Sequence, residues 1–192
     1  DREFRWPRRG DRPFIRSDSW RDNASIAVPH HARMVMMMRG YKLASDTMVD
    51  RAKVSEFDRD LLVYPIIFNY RHFIELSLKY LISTYGRAVG VEPISNSHDL
   101  RRLWTAFMAV LAGYEHDDVE ETDPIVARVV AEFAKVDPAS FSYRYPADNK
   151  GNPIPISQEE LDLGALADVM LALDGYFTGC DGYLDSLQSS GP

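Results

Sequence analysis

The sequence predicts an all-α protein, an up-and-down bundle of four to five helices with one long extended loop between the last two helices. Three observations lead to this prediction. Apolar residues recur at helical spacing in five separate segments of the 192-residue chain. Candidate capping residues precede several of these segments. By contrast, the segment DPASFSYRYPADNKGNPIP holds prolines, a glycine and asparagines, which exclude a helix there.

The first two predicted helices are the longest of the N-terminal half. Methionines and Tyr41 recur at helical spacing in residues 32–53. The second helix is expected from about Asp60 to Tyr85. Pro65 should either start this helix or kink its first turns, because proline lacks the backbone N–H that a helix interior needs.

The third and fourth helices are predicted from their capping signals. Asn96 or Ser97 is expected to cap the third helix, and Asp99 falls in its first turn, where negative charge is favoured. The fourth is expected to begin with Asp123 as cap and Pro124 as first helical residue, a position that proline tolerates well.

The fifth helix is expected to open at Ser157, which forms a capping box with Glu160 three residues later. We therefore divide the chain into an N-terminal arm over 1–31, a single helical domain over 32–188 and a tail over 189–192. The arginine-rich start of the arm is expected to be either a basic arm or a loosely ordered terminus.

Composition limits the class of protein. Apolar residues make up 45% and charged residues 27% of the chain, which is typical of a soluble globular domain. No apolar run approaches the roughly 20 residues that cross a bilayer, so we expect no membrane partner. The single cysteine, Cys180, favours a reducing, cytoplasmic setting. Because the chain begins at Asp1 rather than methionine, we expect it to be a trimmed form, from which an upstream targeting segment could have been removed.

The net charge of −7 is unevenly distributed. Residues 1–21 hold seven arginines against four acids, a net of +3, so the remainder of the chain carries −10. An acidic body disfavours broad, non-specific binding to nucleic acid, which depends on neutralising phosphates. A local basic site remains compatible with this charge.

The most informative segment is YPIIFNYRHFIELSLKYLISTY, residues 64–85, because it places ionisable residues in an apolar helix. At about 100° per residue, Arg71, His72, Glu75 and Lys79 share a sector roughly 100° wide. Arg71–Glu75 and Glu75–Lys79 are both i,i+4 pairs, which can form ion pairs on a helix. An isolated buried charge costs several kcal/mol, so these groups should be paired with one another.

Two permanent cations facing one anion leave a positive excess, which predicts an acidic partner. Three candidates fit: Asp99, beside His98; Asp148, in the long loop; or a bound phosphate or nucleotide. Two interpretations stay open. The cluster is either a polar core that fixes the helix register, or a site for an anionic ligand.

The loop motif FSYRYP extends the second interpretation. Tyr143 and Tyr145 could stack on bases and Arg144 could contact a phosphate. The alternative is an extended piece or hairpin whose tyrosines pack on the bundle. The predicted anion-binding set therefore comprises Arg71, His72, Glu75, Lys79, His98, Asp99, Tyr143, Arg144 and Tyr145.

The segments YPIIFNYRHFIELSLKYLI, SHDLRRLW and FSYRYP, followed by a final long helix, resemble HEPN-type domains over roughly residues 61–187. The resemblance implies a four-to-five-helix bundle, frequent homodimerisation and association with RNA or nucleotides. It also implies a prokaryotic defence, toxin–antitoxin or nucleotide-transfer context.

Many HEPN-type domains are ribonucleases with an arginine followed, after four to six residues, by a histidine. None of the five histidines has an arginine at that spacing. The ribonuclease residues cannot be carried over, and we expect standard HEPN cleavage to be absent. A non-standard site from Arg71, His72 and His98 would remain chemically feasible, because RNA cleavage needs an acid–base group and a cation near phosphate.

The leading expectation is a HEPN-like domain that binds RNA, a nucleotide or a protein partner as a homodimer. The alternatives are a ribonuclease or nucleotide-modifying toxin with an unusual site, and a structural interaction module. No pattern predicts a cofactor or a metal: the adjacent histidines of the PHH segment lack partners at ligand spacing.

Overall fold

The computed structural model describes residues 4–117, 121–138, 140–156 and 158–189. It contains five α-helices: α1 (His30–Lys53), α2 (Glu56–Tyr85), α3 (Leu100–Gly113), α4 (Thr122–Val136) and α5 (Leu163–Ser189). No β-strand occurs within these residues, and a long loop separates α4 from α5. The prediction of an all-α bundle is therefore confirmed.

Helix α2 is the centre of the bundle and packs against α1, α3 and α5, while α4 packs on α3. From residue 66 to residue 82 every side chain of α2 is buried or half-buried, and the fully buried apolar ones include Ile66, Tyr70, Phe73, Ile74 and Leu78. A helix that is apolar on every side must be covered by neighbours. Any charged group on the middle of α2 is therefore enclosed unless it reaches the rim.

Helix α2 begins earlier than expected, at Glu56, because the Ser55 side chain accepts a hydrogen bond from the Asp58 amide. Pro65 consequently lies inside the helix rather than at its start. Proline cannot donate to the carbonyl four residues earlier, which belongs to Leu61. Leu61 is exposed, so the missing hydrogen bond lies near the bundle surface.

The expected caps of α3 and α4 need correction. Asp99 itself, rather than Asn96 or Ser97, caps α3, because its carboxylate accepts from the amides of Arg101 and Arg102. Helix α4 begins at Thr122, so Asp123 lies in its first turn and is not its cap. The Asp123 carboxylate instead accepts the hydroxyl of Tyr176 on α5.

Helix α5 starts at Leu163, later than the capping box predicted. The Asp162 carboxylate accepts from the amides of Gly164 and Ala165, at 2.8 and 3.0 Å, and thus takes the capping role. Glu160 precedes the helix in exposed loop, and Ser157 lies outside the described residues. An aspartate two and three residues before the amides it caps satisfies orphan donors of the first turn.

The connection from α2 to α3 returns alongside α2 and places the start of α3 beside the middle of that helix. It opens with a 3₁₀ turn, Gly86–Val89. A Cβ on Gly86 would lie 2.6 Å from the carbonyl oxygen of Val91, so only glycine permits this close return. His98, at the end of the connection, therefore reaches Glu75.

The segment FSYRY forms a turn rather than the expected extended piece or hairpin. The amides of Arg144 and Tyr145 both donate to the carbonyl of Phe141 at 3.0 Å. The Asp137 carboxylate accepts from the amides of Phe141 and Ser142, at 2.8 and 3.0 Å. These local bonds take up the backbone donors that a strand would need.

By length and composition α5 is apolar enough to cross a membrane, although no such segment was expected from the sequence. Within the bundle α5 buries Met170, Leu173, Phe177 and Leu184 against its neighbours. The core helix of a soluble protein meets the same criterion, so a single helix of this kind is weak evidence for a membrane span.

Candidate functional site

Arg71 lies at the centre of a buried group of charges on α2. Its side chain is fully enclosed, with 0% exposure. Nη1 donates to Glu75 Oε2 at 3.1 Å, and Nη2 donates to the His98 carbonyl at 2.7 Å. Nε donates to the Asp137 carbonyl at 2.8 Å. One guanidinium thus joins α2 to the end of the α2–α3 connection and to the segment that follows α4.

Glu75 receives three donors from two elements. Besides Arg71, Lys79 Nζ and His98 Nδ1 both lie 2.9 Å from Glu75 Oε1. Burial alone would raise the pKa of Glu75, but the hydrogen bond and charge of Lys79, helped by His98, outweigh burial and lower this pKa. The carboxylate is therefore ionised at neutral pH, although its exposure is only 1%.

The acidic partner that the charge excess predicted is Asp137, immediately after α4. Asp137 Oδ2 lies 3.7 Å from Arg71 Nε, and both side chains are at most 1% exposed. Asp99 caps α3 in an exposed position, and Asp148 accepts from amides of its own loop, at Lys150 and Asn152. Neither of those two aspartates completes the cluster.

We call Arg71, Glu75, Lys79 and Asp137 the ion cluster. Its two cations and two anions sum to zero, so it needs no bound anion to balance it. Arg71, with its nitrogens engaged and no exposed surface, cannot reach a ligand in this arrangement. The ion cluster therefore matches the interpretation of a polar core, in which Asp137 Oδ2 is buried without a hydrogen-bond partner among the described residues.

The ion cluster also fixes the turn that carries Arg144. Asp137 contributes its carbonyl to Arg71 and its Oδ1 to the amides of Phe141 and Ser142. The turn is thus attached to α2 through bonds buried from water. Residues on the turn are held in a defined place, although they are distant from α2 in sequence.

Arg144 lies among three aromatic rings on the outside of this attachment. Its guanidinium carbon is 5.2 Å from the Phe68 ring centre, 5.0 Å from that of Phe141 and 5.5 Å from that of Tyr145. Its Nε donates to the Ser140 carbonyl at 2.6 Å. No carboxylate of the described residues lies within ion-pair distance of Arg144, whose side chain is exposed.

His72 continues the same surface along α2. Its ring stacks on Phe68 with centres 5.7 Å apart, and Tyr41 meets its edge at 4.5 Å. Burial lowers the pKa of His72; the Glu75 carboxylate opposes this shift, and the Lys79 and Arg71 charges add to it. The imidazole is consequently neutral at pH 7.

We call Phe68, His72, Phe141, Arg144 and Tyr145 the aromatic–arginine surface. Phe141 and Tyr145 are 48% and 51% exposed, so each ring offers open area beside the guanidinium. Tyr143, for which base stacking and packing on the bundle were the two alternatives, is buried at 8% exposure.

His98 is the remaining predicted site residue, and its imidazole is a group that can take part in acid–base chemistry. A carboxylate oxygen can only accept, so the Nδ1 that faces ionised Glu75 carries a proton. In the neutral form of the imidazole Nε2 has the lone pair, and the side chain is 64% exposed. A histidine oriented by a buried carboxylate is a geometry that acid–base catalysis uses.

The fold and the site together define an all-α bundle with a neutral buried ion cluster beneath an aromatic–arginine surface. No family model, curated protein or solved structure matches this chain. Among the described residues, no group of three or more histidine, cysteine or acidic side chains could hold a metal ion.

Sequence reasoning assembled part of this site. It grouped Arg71, Glu75 and Lys79 correctly, because the i,i+4 spacing alone brings them together. It missed Asp137, Phe68 and Phe141. The sequence offered two signals for these residues. One is the Asp-Pro dipeptide that ends α4, and the other is the pair of aromatic residues near Arg144 in FSYRY.

Proposed function

We propose that the protein binds single-stranded RNA through the aromatic–arginine surface, without standard HEPN cleavage. The observation that carries this proposal is Arg144, an exposed cation without an ion-pair partner among the described residues, set between two exposed rings. Bases stack on aromatic rings and guanidinium planes, and arginine nitrogens bind phosphate.

The contacts favour a short, local recognition site. Arg144 Nε is bound to the Ser140 carbonyl, which leaves the two terminal nitrogens for a phosphate. Phe141 and Tyr145 provide rings for one or two bases. The net negative charge of the rest of the chain disfavours contacts with many phosphates along a strand. Binding should therefore involve few phosphates, and its affinity should depend weakly on salt concentration. The resemblance to HEPN-type domains agrees with RNA or nucleotide binding in a prokaryotic defence or toxin–antitoxin setting.

Arg144→Ala is expected to weaken binding of a short single-stranded RNA at least tenfold, measured by fluorescence anisotropy. The loss of a stacking ring in Tyr145→Ala should cost about 1–3 kcal/mol, which corresponds to roughly 5- to 150-fold. Lys150→Ala is the control, because Lys150 is an exposed cation of the same loop, outside the surface. A parallel binding measurement with ATP shows whether the surface binds a free nucleotide or only an RNA strand.

Two results would contradict RNA binding at this surface. One is a wild-type protein that binds neither RNA nor nucleotide. The other is an Arg144→Ala variant that binds as tightly as the wild type. The first would leave a protein-interaction or structural module as the better interpretation, and the second would place RNA binding on another surface of the protein.

A second candidate function, ribonuclease activity, is favoured by His98 alone. Its Nε2 faces solvent while Glu75 orients Nδ1, so His98 could act as a general base toward a ribose hydroxyl. Incubation with mixed RNA tests this function. Cleavage that disappears in His98→Ala, with the helical content unchanged, would support it, and RNA that stays intact would exclude it.

A further inference from the structure

The N-terminal arm presents large apolar side chains that the bundle leaves largely exposed. In residues 4–28, Phe4, Trp6, Phe14, Ile15 and Trp20 are between 69% and 98% exposed. The polar contacts of this stretch are largely internal, such as the Arg5–Asp11 ion pair and the bonds between Asn23 and Ser17. The arm therefore has local order without a surface to cover its rings.

The arm is also basic. Residues 4–28 contain six arginines and three aspartates, so the net charge is 6 − 3 = +3. Exposed aromatic rings alternating with arginines are typical of segments that bind another surface, because both residue types are enriched in the centres of interfaces.

The bundle has an open groove whose charge is opposite to that of the arm. A cavity of about 770 Å³ opens between α2, α4 and the start of α5, and Val129, Phe133, Leu166 and Val169 are among the side chains that line it. A second hollow of about 320 Å³ shares Ile67 and Leu161 with it, so the two form one groove. Its apolar floor is large enough for aromatic side chains.

The rim of this groove is acidic. The charged side chains that line the two hollows are four acids and one lysine: Glu132, Glu159, Glu160, Asp162 and Lys135. The rim charge of −3 opposes the +3 of the arm, which provides electrostatic complementarity. The arm and the groove thus match in charge, and the rings of the arm match the apolar floor.

The arm does not occupy the groove of its own chain, since its rings remain exposed in the structure of the single chain. A second copy of the same chain supplies the same arm and the same groove. When two copies exchange their arms about a two-fold axis, the arm of each copy fills the groove of the other. The two contacts are identical, and neither groove remains open. We propose that residues 4–28 of each copy dock in the groove of the other, forming an arm-exchanged homodimer. This assembly is independent of RNA binding.

The mass of the full chain in solution tests the proposal. Sedimentation equilibrium should give the wild type twice the mass of the 21.9-kDa chain. The groove variant Val169→Arg and the arm variant Trp6→Ser/Phe14→Ser should both be monomeric. The matched control is Leu171→Arg, an exposed residue of the same helix that does not line the groove, and it should remain dimeric. All three variants replace exposed side chains, so the fold should persist, as circular dichroism can verify.

Tryptophan fluorescence provides a second readout. Two of the three tryptophans, Trp6 and Trp20, lie in the arm, so a Trp104→Phe background reports on the arm alone. Iodide quenching should decrease as protein concentration rises and the arms become covered. The Val169→Arg substitution in the same background should abolish this protection.

Three results would overturn the proposal. A dimer that survives both the arm and groove variants would use another interface. A monomer whose arm is protected at every concentration would have docked the arm on its own bundle. A monomer whose arm becomes protected only when RNA is added would show an RNA-binding arm.

Discussion

Arg71→Leu is expected to lower the free energy of unfolding by about 3–5 kcal/mol, the usual cost of breaking a buried ion pair from one side. The substitution removes all three donors of the guanidinium. It leaves the carboxylates of Glu75 and Asp137 enclosed, and it leaves the buried carbonyl of Asp137 and the partly buried carbonyl of His98 without this donor. Urea unfolding followed by circular dichroism measures the change.

Arg51→Leu is the matched control. Arg51 also pairs with an aspartate, Asp58, but its side chain is 65% exposed. An exposed pair contributes about 0–1 kcal/mol, because water screens the charges and replaces the lost bond. If Arg71→Leu cost no more than Arg51→Leu, the ion cluster would be open to water in solution.

Glu75→Ala is expected to cost a comparable amount, several kcal/mol, because it leaves Arg71 and Lys79 without their shared acceptor. The loss should exceed that of Lys79→Ala, since the Lys79 side chain retains 12% exposure and its removal strands less charge. Chemical denaturation of the two variants provides the comparison. If both substitutions lowered the free energy of unfolding by the same small amount, Glu75 would not be the shared partner of Arg71 and Lys79.

The pH dependence of stability gives Glu75 a distinct signature. Its pKa is lowered in the folded protein from an ordinary value of 4.5. The unfolded chain therefore binds the proton more readily, and this carboxylate stabilises the fold above pH 4.5. That contribution is lost as the pH falls through the folded pKa. The stability advantage of the wild type over Glu75→Gln should accordingly narrow below pH 4.5, and a constant advantage would contradict an ionised Glu75.

The local part of the site was predictable because helix geometry determines it. A spacing of four residues places Arg71, Glu75 and Lys79 in contact in any regular helix. The number of helices followed equally well from apolar periodicity. Boundaries were less accurate, since Asp99 and Asp162 cap helices at positions where neighbouring Ser and Asn residues were equally plausible caps.

The tertiary part was not predictable in the same way. Asp137 lies 66 positions from Arg71 in sequence, and no periodic pattern relates the two residues. Their contact depends on how α4 packs on α3 and where the chain turns after Val136. The ring contacts of Arg144 with Phe68 have the same origin. Charge counting on α2 correctly implied a missing acid, but only the packing identifies it.

The presence of Asp137 also changes the meaning of the charges on α2. With Asp137 included, the ion cluster is neutral and serves as a buried attachment for the turn over residues 140–145. The surface that we propose binds RNA lies outside it, and it includes Phe141, Arg144 and Tyr145. In this account the buried charges act on the ligand only by holding the turn in place.

Amide hydrogen exchange at Phe141 and Ser142 tests this attachment most directly. Both amides donate to Asp137 Oδ1, so they should be protected in the wild type. In Asp137→Ala they should exchange at least tenfold faster relative to the α2 amides of Ile74 and Leu78, which report on the fold as a whole. Wild-type amides at Phe141 and Ser142 that exchange as fast as unstructured chain would contradict a turn anchored by the ion cluster.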